Sequence, residues 1–268
     1  MLPKIKLGKT KEEIPIFSLG TWAIRNEREM IKVIQYSIDT GLNHIDTAEM
    51  YTGAEEIVGK AIKVYDRKKI FITSKVLPSN ASYKGVIKSC ENSLSKLKTD
   101  YIDLYLLHYY TGEYPLKETF DAFNHLIEKG KVRYAGVSNF EIKEYEKFKN
   151  LLREYKIQNN QIEYNLSNWQ YVEEKLLPLY ENEDITLSGY SPLWQNNPPK
   201  GTKGFKVLEE IGKKYGKSPF QVALNFLTRH RKIFIIFKTE NIEHLKENIE
   251  SLNFNLEEED IKKIKENF

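Results

Sequence analysis

Cysteine is almost missing from this chain. Cys90 is the only one in 268 residues, so no intrachain disulfide framework is available. It falls in a helical pattern, where a lone thiol acts as a small core filler. Long apolar runs are missing as well. No stretch reaches the ~18 residues that a membrane span needs, and the N-terminal MLPKIKLGKT lacks the apolar core of a signal peptide. Charge of one sign is scarce: 41 Lys and Arg face 38 Asp and Glu, a net of +3. With no concentrated basic run, nucleic acid is not an expected partner. These absences lead to the expectation of a soluble cytoplasmic protein that meets neither membrane nor nucleic acid.

What is present is enough for a core: 40% of residues are hydrophobic and 12% aromatic. The length suits one large domain or two small ones. No linker-like or low-complexity segment divides it, so a single domain over 1–268 is expected. Short apolar runs (IFSLG, NHID, IFITS, YIDLYLLH, VRYAGV, NQIEY, ITLSGY, KIFIIF) alternate with longer segments such as EREMIKVIQYSIDTG and PLKETFDAFNHLIEKG. In the longer segments apolar residues recur at three- and four-residue steps, the helical signature. Gly41 and Gly130 follow helical runs, and Ser218-Pro219 fits an N-cap with a first-turn proline.

About eight strand–helix alternations predict an α/β fold, the closed parallel (β/α)8 TIM barrel. An open doubly wound sheet competes, but it usually carries G-x-G-x-x-G after its first strand, and none exists here. KIKLGKTKEEIPIF reads as an N-terminal β-hairpin capping the barrel bottom. The polar stretch Gln195–Gly204 reads as a functional loop after the seventh barrel strand, and NLEEEDIKKIKENF as a final exposed helix. GKKYGKS (Gly212 to Ser218) looks like a phosphate loop but has three residues between its glycines instead of four. A helix–turn–helix junction explains it better.

A barrel gathers the C-terminal ends of its strands on one face. The second run ends in Asp46, the third in Lys75 and the fourth in His108, with Tyr51 in the loop after the second. A free phenol, with a pKa of about 10, is a slow proton donor at neutral pH. A neighbouring ammonium at Lys75 is expected to lower that pKa and let Tyr51 act as a general acid. Asp46 is expected to keep Lys75 charged, and a neutral His108 to orient the same substrate oxygen. With no metal and no nucleophile called for, hydride from a nicotinamide suits the carbonyl carbon. Alone, each residue also has a structural explanation as a turn former, cap or packing group.

These residues resemble the aldo-keto reductase family over nearly the whole chain. GLNHIDTAEMYTGAEEIVGKAI carries Asp46, Thr47, Ala48, Tyr51, Glu56 and Gly59. TSK supplies Lys75, LLH supplies His108, and GKVRYAGVSNF, QIEYN, GYSPL and IIFKTENIEHLKENI follow in order. The resemblance implies NAD(P)H-dependent reduction of aldehydes or ketones on a barrel. It implies Asp46, Tyr51, Lys75 and His108 as the catalytic tetrad and no metal. Ser138, Asn139 and Gln161 would hold the nicotinamide carboxamide, and Tyr190 would stack on its ring. Gly20, Thr21, Trp22, Ser191 and Leu193 would line the cofactor, with Asp46 beneath it. Lys238, Thr239, His244, Glu247 and Asn248 would meet the adenosine end. Trp22, Tyr51, His108 and Tyr109 would form the substrate pocket, and a monomer is expected.

The chain departs from the family pattern at several points. Phe237 precedes the lysine where proline is usual, and His244 stands where an arginine usually grips the 2′-phosphate. An imidazole clamps phosphate less well than a guanidinium, so NADP(H) is favoured and NAD(H) use stays open. Tyr109 replaces a common tryptophan. The chain stops soon after its last helix, which points to a more open pocket. Two rival functions remain: a Schiff-base aldolase using Lys75, and a non-catalytic nucleotide-binding regulatory subunit.

Overall fold

The computed structural model describes residues 2–196, 198–230 and 232–268. An antiparallel pair comes first, β1 (Lys4–Lys6) and β2 (Glu13–Pro15). Eight parallel strands then close on themselves: β3 (Phe17–Gly20), β4 (His44–Asp46), β5 (Phe71–Val76), β6 (Ile102–Leu107), β7 (Val132–Ser138), β8 (Asn159–Glu163), β9 (Thr186–Tyr190) and β10 (Ile233–Phe237). The chain is thus a (β/α)8 barrel, with β10 pairing back to β3 through Ile235–Phe17 and Phe237–Leu19.

Helices alternate with the strands. The first five are α1 (Glu27–Asp39), α2 (Ala54–Ile62), α3 (Tyr83–Leu97), α4 (Leu116–Glu128) and α5 (Ile142–Glu154). Between β8 and β9 the sequence pattern predicts one helix from Val172. The structure instead has α6 (Trp169–Tyr171), a π turn (Val172–Leu176) and α7 (Leu177–Glu181). Pro178 has no N–H to give, so regular i→i−4 bonding cannot run through this segment. After β9 come α8 (Lys203–Tyr215) and α9 (Pro219–Leu227), then α10 (Ile242–Glu250) and α11 (Glu258–Lys265).

The phosphate-loop lookalike resolves as the α8–α9 junction. Gly216 ends α8 in a left-handed conformation (φ 63°), and Ser218 caps α9 in a reciprocal capping box with Gln221. A Cβ at Gly212 would lie 2.4 Å from the Lys217 carbonyl, so close packing at the turn selects that glycine. The final helix is largely exposed, as its charge pattern suggests. Ile264 is nevertheless fully buried, and Asp260 accepts bonds from Lys214 (2.8 Å) and Tyr215 (2.7 Å) of α8.

The hairpin closes the barrel bottom. Ile5, Leu7 and Ile14 are buried, and two amides of its turn bond side chains at the starts of β8 and β9: Gly8 N–H to Thr186 Oγ1 (2.7 Å) and Lys9 N–H to Gln158 Oε1 (2.9 Å). A second polar network lies at the same end. Asp103, buried at the start of β6, accepts from Arg67 (2.6 Å), Arg133 (2.7 Å) and the Ile72 amide (2.9 Å), and Arg133 also pairs with Glu12 beside the hairpin. Above this end strands β5 and β6 are buried along their whole length, filled largely by branched aliphatic and aromatic side chains as a barrel core requires. Cys90 is buried in α3, and burial pushes its thiol up to about 12. No described helix is long and apolar enough to cross a membrane.

Candidate active site

A cavity of about 310 Å³ opens at the C-terminal ends of the barrel strands, the face on which barrel enzymes place their chemistry. The register of β4, β5 and β6 decides what reaches it. Asp46 is the last residue of β4, Lys75 lies one residue before the end of β5, and His108 immediately follows β6. Tyr51 comes from the turn that leads into α2 through Gly53, which adopts a left-handed conformation (φ 73°).

Lys75 is fully buried behind the cavity floor. Its ammonium donates to Asp46 Oδ1 (2.6 Å) and to the Thr47 carbonyl (2.8 Å), leaving one N–H on the Tyr51 side. The Tyr51 ring centroid is 5.1 Å from Nζ. Burial works against the charge on Lys75, but Asp46 and then Tyr51 outweigh it, so its pKa is raised and the ammonium persists. The second oxygen of Asp46 accepts from Gln161 Nε2 (2.8 Å). One carboxylate therefore joins the cation to the far wall of the cavity.

The sign of the shift at Tyr51 corrects the expectation from sequence. Lys75 does pull the phenol down, yet burial is the larger effect and Asp46 adds to it, so the pKa lies above the ordinary phenol value. Sequence placed the cation near the phenol but carried no measure of how much water the fold removes from it. His108 stands edge-to-face with Tyr51 at 5.8 Å between ring centroids. Burial first, and then Lys75, pull its pKa down to about 3, so the imidazole is neutral at ordinary pH. Its Nδ1 is buried without a hydrogen-bond partner among the described residues, which leaves Nε2 toward the cavity. An unpartnered buried N–H costs more than an unpartnered lone pair. The proton therefore belongs on Nε2, where it can be donated to a ligand.

The opposite wall comes from β7, β8 and β9. Asn139 Nδ2 donates to the His108 carbonyl (3.0 Å) and its Oδ1 accepts from Tyr190 (2.8 Å), while Ser138 donates to the Gln161 carbonyl (2.9 Å). Gln161 spends one N–H on Asp46, and its amide oxygen makes no hydrogen bond among the described residues. Gly20, Thr21, Trp22, Ser191, Leu193 and Lys238 complete the lining expected from sequence. Trp22 stays half exposed at the mouth, as does Met50.

Some expected residues lie elsewhere. Tyr109 packs edge-on against His108 at 5.8 Å, is exposed and does not line the cavity. Thr239, His244, Glu247 and Asn248 lie beyond it, on the run from β10 into α10. His244 is exposed on the first turn of that helix. Met50, Pro192 and Ile236 line the cavity without having been singled out, as does Phe237, noted from sequence only as a departure, while Gln195 opens the stretch read as a functional loop. Their signal was adjacency: each is next to, or within two residues of, a residue that was named. Ser191, Trp194 and Gln195 hold left-handed backbone (φ 55°, 56° and 51°). For non-glycine residues such backbone is strained and clusters at ligand sites.

The comparisons with known proteins agree with this geometry. The aldo/keto reductase family model matches residues 17–267. Methylglyoxal reductase YeaE of Escherichia coli (strain K12) is 35% identical over 250 residues, spanning 91% of this chain and 87% of that protein. Glyoxal reductase of Bacillus subtilis (strain 168) is 34% identical over 256 residues, spanning 94% and 88%. An aldo-keto reductase from Klebsiella pneumoniae, solved in complex with NADPH, superposes with a TM-score of 0.91 at 31% identity, covering 99% of this chain and 95% of that one. A thermostable aldo-keto reductase, Tm1743, solved with the inhibitor epalrestat, gives 0.92 at 35% identity over the whole of both chains. With the barrel, the strand-end cluster and a match across almost its whole length, this chain belongs to the aldo/keto reductase family.

Proposed function

We propose that this chain reduces aldehyde or ketone carbonyls to alcohols with NADP(H), and that Asp46, Tyr51, Lys75 and His108 are its catalytic residues. The observation that carries the assignment is the Asp46–Lys75 pair beneath Tyr51, with Tyr51 and His108 facing one cavity. Tyr51 holds its proton at neutral pH because burial raises its pKa, and it delivers that proton to the carbonyl oxygen. Lys75, kept charged by Asp46, lowers the cost of the phenolate left behind. His108 donates from Nε2 to the same oxygen and fixes its direction.

The wall opposite suits a carboxamide, which brings one acceptor and two donors. Gln161 offers an unbonded amide oxygen, Ser138 and Asn139 supply neighbouring polar groups, and Tyr190 presents a ring. We assign these four to the nicotinamide and Lys238 to the adenosine end. When bound, the reduced nicotinamide supplies hydride to the carbonyl carbon. The half-exposed Trp22 and Met50 at the mouth leave room for small dicarbonyls of the kind that the Escherichia coli and Bacillus relatives are named for. We place the enzyme in the cytoplasm as a monomer.

The Schiff-base reading fits poorly. An amine attacks a carbonyl only when unprotonated, and Lys75 is held as an ammonium by Asp46. Borohydride with a carbonyl substrate should leave no adduct on Lys75. The direct test is Tyr51→Phe, assayed by NADPH oxidation over a panel of small aldehydes. Turnover should fall at least ~100-fold, with the NADPH dissociation constant within about twofold of wild type. Turnover that survives would move the acid elsewhere. Tight NADPH binding with no turnover in the wild type would favour the regulatory reading.

A further inference from the structure

Lys238 is the only lysine or arginine among the described residues lining the cavity, and its ammonium is already engaged. It pairs with Glu240 two residues on and donates to the Ala23 carbonyl (3.1 Å). Glu240 is anchored from the other side as well. It accepts the amides of Arg25 (3.1 Å) and Asn26 (2.7 Å) from the loop that leads into α1. Burial opposes the charge on Glu240, but Lys238 and these two amides outweigh it and hold the carboxyl below its usual range. A carboxylate and a phosphate ask for the same donors. With His244 exposed on α10 and away from the cavity, no second cation among the described residues lines the cavity beside Lys238.

We propose that Glu240 is a specificity-determining residue, an internal carboxylate that competes with the 2′-phosphate of NADP(H) for Lys238. It leaves the chain weakly selective against NAD(H). The inference rests on the dinucleotide reading of the cavity given above. A 2′-phosphate that approaches Lys238 must either displace Glu240, which two amides hold in place, or sit beside a like charge. NADH carries no such group and meets neither penalty.

The test is Glu240→Gln, which keeps an acceptor for the Arg25 and Asn26 amides and removes the charge. Dissociation constants for NADPH and NADH are read from quenching of protein fluorescence at fixed ionic strength. NADPH should tighten about five- to tenfold, the size of a partly solvated charge contact, and NADH should stay within about twofold. An unchanged ratio, or equal tightening of both, overturns the inference. In a Lys238→Met background the gain from Glu240→Gln should shrink to about twofold, the like-charge part alone, and an undiminished five- to tenfold gain there also overturns it. A measurement on wild type alone guards against a variant that fails to fold. Adenosine 2′,5′-bisphosphate should bind no more than about fivefold tighter than 5′-AMP, and a hundredfold preference would sink the proposal. Wild-type protein that binds neither dinucleotide would overturn the parent reading and this one together. Wild-type binding with an unmoved NADPH to NADH ratio in Glu240→Gln overturns this one alone.

Discussion

Tyr51 and His108 are perturbed in opposite directions, and together they set a pH window. The phenol lies above its ordinary value, so it keeps its proton further into alkali than a free tyrosine does. The imidazole titrates near 3, so it is neutral over the whole working range. The kcat for carbonyl reduction should therefore be flat from about pH 5 to 9 and decline only above about pH 10. The reverse oxidation, which needs the phenolate, should instead rise with pH toward that same point. An inflection between pH 6 and 7 that disappears in His108→Asn would contradict the assignment. Asp46, Lys75 and His108 were legible in sequence because each ends an apolar run, and Tyr51 because it follows Asp46 in the next loop. The sign of the Tyr51 shift was not, since it depends on how far packing excludes water from the phenol.

At the scale of elements, the packing of α2 on α3 turns on one glycine. A Cβ at Gly59 would fall 2.6 Å from the Lys96 carbonyl and 2.8 Å from that of Leu97. These are backbone atoms that cannot swing aside. Gly59→Ala should destabilise the protein by about 2 kcal/mol despite the better helix propensity of alanine, as a lower denaturant midpoint with an unchanged slope. Stability equal to wild type would mean that the two helices shift freely. Helix periodicity in sequence located α2 and α3, and the strand runs gave all eight barrel strands. The π turn from Val172 to Leu176 was hidden, because its apolar spacing is still helical and only Pro178 marks the break. The tail helix is largely exposed, as expected, but sequence did not show that Asp260 is held by Lys214 and Tyr215, partners more than forty residues away.

For the whole molecule, the two ends of the barrel are held by different means. The top carries the cavity and its strained loop. The bottom is tied by the hairpin and by Asp103, which joins Arg67, Arg133 and the Ile72 amide. Asp103→Asn leaves both guanidinium groups without a charge partner on β6. It should cost roughly 2 to 3 kcal/mol after discounting the half-exposed Arg133, measured by denaturation. The catalytic constants should not change, because the cavity is at the other end. Altered turnover at full folding would mean that the two ends are coupled. None of this network could be read from the chain, since its members span positions 12 to 133 and no motif marks them. One further consequence comes from Asp46, whose two oxygens are divided between Lys75 and Gln161. On the proposed assignment, proton delivery and ring placement hang on a single peg. A substitution that loosens one must loosen the other, so the two halves of the reaction cannot be tuned independently at that position.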